Sequence, residues 1–114
     1  MSKNIKKIAR QVIDFEIDAL KKLKNSIGKS FEEAVNEIVN CKGKVIFCGV
    51  GKSYLISLKI SSTLSSVGCP SFSINANDCS HGDLGSITRR DLLIFLSNSG
   101  STDELKPVIQ FANR

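Results

Sequence analysis

The sequence predicts an α/β fold, a doubly wound parallel sheet flanked by helices and preceded by a long N-terminal helix. Short, continuously apolar runs recur along the chain, as in strands that are buried on both faces. Segments with helical spacing of apolar residues separate these runs. Strands that alternate with helices form parallel sheets with right-handed crossovers. The length of 114 residues allows one such domain at most.

The first 40 residues are predicted to be helical. Apolar residues recur there at spacings of three and four, which indicates an amphipathic helix; they are Ile5, Ile8, Val12, Phe15, Ala19, Leu20, Leu23 and Ile27. Gly28 interrupts the pattern, and a second apolar face runs from Phe31 to Val39. We assign residues 1–40 to helices that pack either on the following domain or on a partner subunit. Both arrangements remain open, and residues 41–114 form the sheet domain.

Three strands are predicted in the sheet domain, at residues 45–48, 71–74 and 92–96. A helix is expected between the first two, because apolar residues recur there at mostly helical spacing: Leu55, Ile56, Leu58, Ile60, Leu64 and Val67. Gly68 is its expected stop. Residues 75–88 are predicted to form an irregular loop with a short turn. A last helix starts at Asp103, with Pro107 in or near its first turn.

Composition and charge exclude several function classes. Hydrophobic residues make up 41% and charged residues 24% of the chain, as in ordinary globular domains. No apolar run reaches the ~18 residues of a membrane helix, and no apolar segment follows the N-terminal lysines as in a signal peptide. The net charge of +5 lies within residues 1–30, where Phe15 is the one aromatic residue. A solvated lysine-rich helix face is therefore favoured over a nucleic-acid surface.

The cysteines indicate a reducing compartment rather than a metal site. Cys41, Cys48, Cys69 and Cys79 include no CxxC pair, and His81 is the one histidine. A structural zinc site and a disulfide scaffold are therefore both disfavoured. We expect four reduced thiols in a cytoplasmic protein that needs no metal and no cofactor.

Two polar loops follow predicted strands and lead into predicted helices. The first contains Gly49, Gly51, Lys52 and Ser53, and the second spans residues 97–102 with four hydroxyl side chains. Ligands of open parallel sheets bind beyond the strand ends, and helix N-termini with Gly-rich loops suit phosphate. The loops could instead be solvated, with Ser and Thr acting as helix caps. A P-loop is disfavoured because Ile46 stands where its first Gly is required, and Tyr54 likewise breaks GxGxxG.

Three motifs in order resemble one enzyme family. These are the run from Gly43 to Ser53, the stretch His81-Gly82-Asp83-Leu84-Gly85, and Ser97-Asn98-Ser99-Gly100 followed by Glu104. Together they are similar to the arabinose 5-phosphate isomerases, which contain a sugar isomerase (SIS) domain. The resemblance extends from about Cys41 to the end of the chain and covers the N-terminal part of the domain only, so residues 41–114 are expected to form a partial, truncated SIS domain.

The resemblance implies an aldose–ketose isomerase that interconverts D-ribulose 5-phosphate and D-arabinose 5-phosphate, a precursor of Kdo in lipopolysaccharide or capsule. It implies catalytic roles for Lys52 and Glu104. It also implies substrate contacts for Gly68, Cys69, His81, Ser97, Asn98, Ser99 and Thr102. The family is usually tetrameric, with sites shared between subunits, so the expected partners are a phosphorylated sugar and further copies of the chain, with neither nucleic acid nor membrane.

The chemistry of these residue types agrees with the implied roles. A carboxylate can move a proton between neighbouring carbons through an enediol, and an ammonium group can stabilise the developing enediolate. Asn75 stands where the family carries a histidine linked to metal binding, so no metal is predicted. The family's later segments, with a further catalytic glutamate and histidine, lie outside this sequence. A non-catalytic phosphosugar-binding module, which needs the hydroxyl-rich loop but neither Lys52 nor Glu104, and an inactive fragment remain the alternatives.

Overall fold

The computed structural model describes residues 2–81, 83–100 and 103–113. The helices are α1 (Ser2–Ser26), α2 (Lys29–Val39), α3 (Lys52–Ser66) and α4 (Lys106–Ala112). The strands are β1 (Val45–Gly49), β2 (Ser71–Asn75) and β3 (Leu92–Phe95). Short 3-10 helices occupy Ala76–His81, Asp83–Ser86 and Asp103–Leu105, where the sequence analysis had predicted a loop with a turn and the start of a helix.

The chain divides into two compact units, residues 1–36 and residues 37–114. The first unit contains α1, whose 25 residues span about 37 Å at the usual helical rise. Its apolar stripe is exposed along its length, including Phe15, which is 72% exposed. Within the described residues, no helix is both long enough and apolar enough to cross a bilayer.

The second unit is built on a parallel sheet in the order β2-β1-β3. Val45 lies opposite Ser71 on one side and Leu92 on the other. The central strand is buried throughout, with Val45 1% and Ile46 0% exposed. A continuously apolar run is what a strand covered on both faces requires. The predicted α/β fold with a parallel sheet flanked by helices and a long N-terminal helix is therefore confirmed.

The core lies where α4 and the turn before it pack against the sheet. Its buried members are Ile46, Cys48, Ile74, Ala76, Leu105 and Val108. Leu105 and Val108 come from the C-terminal segment, and Pro107 sits between them in the first turn of α4, as predicted. Proline is tolerated there because the first helical N–H groups have no partner within the helix.

Helix α3 faces the sheet with serines rather than with its larger apolar residues. Ser57 and Ser61 are buried, whereas Leu55 and Ile56 are 63% and 56% exposed. The hydroxyls of Ser61 and Ser73 lie 2.8 Å apart and join α3 to β2. The helix was predicted correctly, and its small serines allow it to approach the strand closely. The exposed apolar face of α3 is available to another surface.

The end of α3 agrees with the sequence. Gly68 has a φ of 88°, a left-handed conformation that glycine adopts without strain. The N–H of Cys69 donates to the carbonyl of Leu64 at 2.9 Å, and that of Gly68 donates to Ser65 at 3.2 Å. This pairing is the Schellman arrangement, which satisfies the last carbonyls of a helix. It brings the chain directly to the start of β2.

Asp91 joins the beginnings of β1 and β3. Its carboxylate accepts hydrogen bonds of 2.8 Å from the backbone N–H groups of Lys44 and Thr88, and the Lys44 ammonium lies 3.3 Å away. Burial by itself would raise the pKa of Asp91, but these donors outweigh it and hold the pKa below its ordinary value. Gly43 leaves the room for this cluster, because a Cβ there would collide with the Asp91 carboxylate and the Arg90 carbonyl.

Candidate functional site

The two polar loops predicted from the sequence emerge at the same end of the sheet, beyond the C-terminal ends of its strands. One follows β1 and the other follows β3, and parallel strands end together. At the end of β1, a Cβ on Gly49 would lie 2.9 Å from the carbonyl carbon of Ser53. This close approach seats the first turn of α3 directly against the strand. Gly51, with a φ of 59°, then makes the turn into the helix.

The N-terminus of α3, with the N–H groups of its first turn, lies at this end of the sheet. Lys52 is the first residue of the helix and is exposed, and Ser53 is half-buried beside it. The first helical bonds run from Leu55 N–H to Gly51 O at 3.2 Å and from Ser53 N–H to Val50 O at 3.2 Å. A helix N-terminus carries a partial positive charge, to which the Lys52 ammonium adds a full one. The combination favours an anion.

The loop after β3 turns tightly through a side-chain hydrogen bond. The Ser97 hydroxyl accepts the N–H of Gly100 at 2.9 Å, and Gly100 has a φ of 73°. This arrangement is typical of Ser in turns, with glycine at the left-handed position. It fixes the intervening residues, Asn98 and Ser99, beyond the end of the strand.

A groove of about 370 Å³ lies between the two loops. Its lining consists of Val50, Lys52, Ser53, Leu96, Asn98, Ser99 and Leu105. The structure thus brings together three of the residues predicted for the site: Lys52, Asn98 and Ser99. An ammonium, an amide and hydroxyls facing a space of this size can bind the phosphate of a small sugar.

Glu104 lies next to the groove without lining it. It belongs to the 3-10 helix Asp103–Leu105, whose last residue does line the groove. Its carboxylate forms no ion pair with another described residue, and the side chain is exposed. The predicted base is therefore at the rim of the groove, one residue from its wall.

The remaining predicted residues fall into two groups. Thr102 lies outside the described residues, and of His81 only the backbone position, at the end of the 3-10 helix Ala76–His81, is described. Gly68 and Cys69 lie at the opposite end of the sheet, where the strands begin. They come just before β2 and lie beside Cys41. Five residues of strand span about 16 Å, so within one chain these two residues are not brought to the groove. Their role stays a prediction.

Four residues that the sequence motifs did not predict for the site also line the groove: Val50, Ser53, Leu96 and Leu105. Ser53 carried a usable signal, because it follows Lys52 at the first turn of a helix. Asn75 is the last residue of β2 and lies at the same end of the sheet, opposite Gly49 in the register. Its Oδ1 accepts a hydrogen bond of 3.0 Å from the N–H of Asn77. No three His, Cys, Asp or Glu side chains converge as metal ligands in the described ranges.

Comparison with known proteins identifies the family. The SIS domain model matches residues 37–114. This chain belongs to the SIS-domain family. The SIS match takes in all three strands, α3, α4 and both loops of the groove. The two strand-end loops are therefore parts of a SIS domain, as the motifs had indicated.

Several relatives of the chain are arabinose 5-phosphate isomerases by name. Arabinose 5-phosphate isomerase GutQ of Salmonella typhi is 40% identical over 109 residues, which are 96% of this chain and 34% of GutQ. Protein RP505 of Rickettsia prowazekii is 44% identical over 110 residues, with the same coverage. The solved structure of E. coli CFT073 c3406 in complex with arabinose 5-phosphate matches with a TM-score of 0.89 at 32% identity.

The matches cover nearly all of this chain but a smaller part of the relatives. The chain spans about a third of the length of the curated relatives, 34% of GutQ for example. It spans 60% of the c3406 chain while 96% of its own residues are matched. The shared part holds the groove and both loops, so the resemblance concerns the site itself and not only the scaffold.

Proposed function

We propose that this chain binds a phosphorylated pentose in the groove between the two loops and acts in the interconversion of D-ribulose 5-phosphate and D-arabinose 5-phosphate. The observation that carries the proposal is the convergence of Lys52, Asn98 and Ser99 on one groove at a helix N-terminus. The names of the relatives and the arabinose 5-phosphate complex of c3406 support the choice of sugar. The product would feed Kdo for lipopolysaccharide or capsule, in the cytoplasm.

The two loops, Glu104 and Lys52 each have a different role in the proposed reaction. The phosphate binds to the hydroxyls and N–H groups of the two loops, which directs the carbonyl end of the sugar along the groove. Glu104 removes the proton from the carbon next to the carbonyl, giving an enediol, and returns it to the neighbouring carbon. Lys52 stabilises the enediolate oxygen as its charge develops. A second proton moves between the two oxygens, from the hydroxyl that becomes the carbonyl to the carbonyl that becomes the hydroxyl. One carbon is oxidised as its neighbour is reduced, so the reaction needs no external oxidant or reductant.

The test of the enzyme proposal is turnover of arabinose 5-phosphate by the purified chain. We expect Glu104→Gln to lower kcat about 10²-fold or more, because the base is lost. Lys52→Ala should lower kcat/KM by about 10² through the loss of charge stabilisation. Asp103→Asn and Lys59→Ala serve as matched controls, since both residues are exposed and neither lines the groove. Turnover that is equal in test and control variants would contradict these roles.

A phosphosugar-binding module without catalysis is the second candidate. It is favoured by the position of Glu104 at the rim, outside the residues that line the groove. Binding and turnover separate the two candidates. The chain is a binding module if arabinose 5-phosphate raises its melting temperature, if Ser97→Ala abolishes this rise, and if no turnover is detected. A folded chain that neither binds nor turns over the sugar is the inactive fragment.

We also propose that the chain works as a homo-oligomer, with a tetramer as the expected state. The exposed apolar stripe of α1 supports this proposal, because a stripe of this length is rarely left in water. In such an assembly, Gly68 and Cys69 of one subunit would serve the groove of another, which agrees with their distance from the groove of their own chain.

Shared sites can be tested by mixing two inactive variants. Lys52→Ala removes the ammonium of the groove, and Cys69→Trp fills the space beside Gly68. If the sites are shared, mixed oligomers recover activity in about a quarter of their sites, because random pairing unites intact halves at that frequency. Mixtures that stay inactive, from variants shown to exchange subunits, would place Cys69 outside the site.

A further inference from the structure

A second groove, called here the basic groove, lies at the end of the sheet where the strands begin. It has a volume of about 380 Å³ and is lined by Glu37, Asn40, Cys41, Lys42, Arg89, Arg90, Asp91 and Leu92. All of these residues belong to the second unit of the chain. The basic groove shares no residue with the groove between the two polar loops, and one strand length of about 16 Å separates the two ends of the sheet.

Arg89 and Arg90 stand in the middle of a tight turn that two hydrogen bonds close. The N–H of Asp91 donates to the carbonyl of Thr88 at 3.1 Å, and the N–H of Thr88 donates to the Asp91 carboxylate at 2.8 Å. A turn that is closed in both directions fixes the backbone from which the two guanidinium groups project.

The loop that carries Lys42 is joined to this turn. The N–H of Lys44 donates to the Asp91 carboxylate at 2.8 Å. The Cys41 thiol lies 3.7 Å from the carbonyl of Arg90 and 3.6 Å from that of Lys44, so it contacts both loops. Lys42 therefore stands between two anchored residues. The backbone on both sides of the basic groove is in place before a ligand arrives, which lowers the entropy cost of binding.

The positive charge of the basic groove exceeds its negative charge. The Asp91 side chain is 1% exposed, and the Lys44 ammonium balances its charge at 3.3 Å. The three cations of the lining are exposed, and none of them forms an ion pair with a carboxylate of the described residues. Glu37 is the remaining acidic residue of the lining, so a surplus of two positive charges is left for a ligand.

We propose that the basic groove binds an anion with two adjacent phosphate groups, one on the turn of Arg89 and Arg90 and the other facing Lys42. Guanidinium groups present paired N–H donors that match phosphate oxygens, and an ammonium group binds phosphate as a point charge. The Asn40 amide adds a neutral donor. A diphosphate suits the surplus of charge better than a single carboxylate or a neutral sugar does. This site does not depend on the proposed isomerase activity.

The first experiment titrates the full 114-residue chain with inorganic pyrophosphate at constant ionic strength and follows the backbone amides by NMR. We expect the amides of Lys42, Arg89 and Arg90 to shift together with one Kd. The amides of Ser53 and Gly100 report binding in the groove between the polar loops. Shifts confined to those two amides would overturn the proposal. Inorganic phosphate should bind to the basic groove at least about tenfold more weakly, because linked groups bind better than separate ones. Equal affinities would overturn the assignment to a diphosphate.

Substitutions of arginine supply the matched comparison. Arg90→Gln removes a charge from the basic groove, and Arg10→Gln removes the same charge from an exposed position on α1. We expect Arg90→Gln to weaken pyrophosphate binding about tenfold relative to Arg10→Gln, because charged hydrogen bonds are lost. Arg90→Lys keeps the charge and should recover only part of this loss, since an ammonium group lacks the paired donors. Equal affinities of Arg90→Gln and Arg10→Gln would overturn the proposal in favour of unspecific charge attraction.

Two further ligands identify the source of the diphosphate and test an alternative partner. ADP that shifts the same amides and binds at least as tightly as pyrophosphate assigns the basic groove to nucleoside diphosphates. Weaker binding of ADP assigns it to free inorganic polyphosphate. A peptide of six glutamates offers carboxylates instead of phosphates. Tighter binding of this peptide than of pyrophosphate would overturn the proposal in favour of an acidic protein segment.

Discussion

The charge of Asp91 stabilises the sheet through backbone hydrogen bonds. Its side chain is 1% exposed and holds two backbone N–H groups at the starts of β1 and β3. These donors favour the ionised form, so the pKa of Asp91 is lowered, and folding is linked to its deprotonation. The stabilisation is complete above the ordinary pKa of 3.8 and is lost as the pH falls through the lower value of the folded state.

We therefore expect Asp91→Asn to lower the free energy of unfolding by about 1–3 kcal/mol at pH 7, because the amide replaces a charged acceptor of two N–H groups. The difference between the wild-type chain and the variant should shrink below pH 4, where the wild type loses its charge as well. Urea denaturation between pH 3 and pH 7 measures this, with Asp18→Asn on the exposed face of α1 as the control. A constant difference across this range would contradict the linkage.

Gly49 is a second residue whose identity matters, because the structure leaves no room for a side chain there. A methyl group there would lie 2.9 Å from the backbone of Ser53, so strand or helix must shift. We expect Gly49→Ala to cost about 1–3 kcal/mol of stability and to displace the N-terminus of α3. Weaker stabilisation of the folded chain by arabinose 5-phosphate should accompany this shift.

The control for Gly49→Ala is Gly85→Ala, where an added Cβ meets nothing within 4 Å. Both substitutions reduce the entropy of the unfolded chain equally. The difference between the two variants in urea therefore isolates the close approach at the end of β1. Equal stabilities would mean that the first turn of α3 adjusts without strain.

At the scale of the elements, α3 is held to the sheet by hydroxyl groups. Besides the Ser61–Ser73 pair, Ser65 donates to the carbonyl of Ser71, which in turn donates its hydroxyl to Val45 at 2.6 Å. These bonds join α3, β2 and β1 in sequence. They compensate for the absence of large apolar side chains on the buried face of the helix.

Removal of one partner tests this arrangement. Ser61→Ala should lower the free energy of unfolding by about 1–2 kcal/mol, because the Ser73 hydroxyl then loses its partner in a partly buried position. Thr63→Ala is the control, since the Thr63 hydroxyl is exposed and donates to the Lys59 carbonyl of its own helix. In the double variant Ser61→Ala, Ser73→Ala, part of the loss should return. A loss equal to that of Thr63→Ala would show that the pair contributes nothing.

The sequence predicted the strands and the main helices well. The apolar runs located β1, β2 and β3 within one residue at each end, because buried strands of a parallel sheet have no competing pattern. The buried face of α3 was not predicted, since periodicity reports which residues are apolar and not which side lies nearest the sheet, and Leu55 and Ile56 are exposed. The short 3-10 helices after β2 escaped prediction because their bonds are local and their composition is that of a loop.

The site was predictable where it depends on strand ends. Lys52, Asn98 and Ser99 meet because β1 and β3 are neighbours; the sequence placed both loops after strands of one sheet but did not give the strand order. The position of Cys69 before β2 also followed from the sequence, because Gly68 was the expected end of α3 and the strand was predicted from residue 71. Its assignment to the site came from the family resemblance, which matches positions along a chain and gives no distances.

At the scale of the whole molecule, the proposed association of copies depends on the exposed apolar stripe of α1. Leu20 and Leu23 are 62% and 57% exposed within its stripe. If copies associate through this stripe, folding and association are linked, so the melting temperature depends on concentration. We expect it to fall by several degrees over a hundredfold dilution, as differential scanning fluorimetry or calorimetry would measure.

Paired substitutions on α1 separate association from charge. Leu20→Glu with Leu23→Glu should yield a smaller species by sedimentation and a melting temperature that no longer depends on concentration. Gln11→Glu with Asn25→Glu adds the same charge at exposed polar positions of the same helix and should retain the wild-type behaviour. Identical sedimentation of the two double variants would show that the stripe is not the interface.

The separation between the Asp91 cluster and the loops of the groove has an evolutionary consequence. The Asp91 cluster joins the beginnings of β1 and β3, about 16 Å from the loops at the strand ends. Mutations at Asn98 or Ser99 therefore leave the hydrogen bonds of this cluster in place. A framework of this kind allows the lining of the groove to change by exchange of a few loop residues while selection on foldability acts elsewhere.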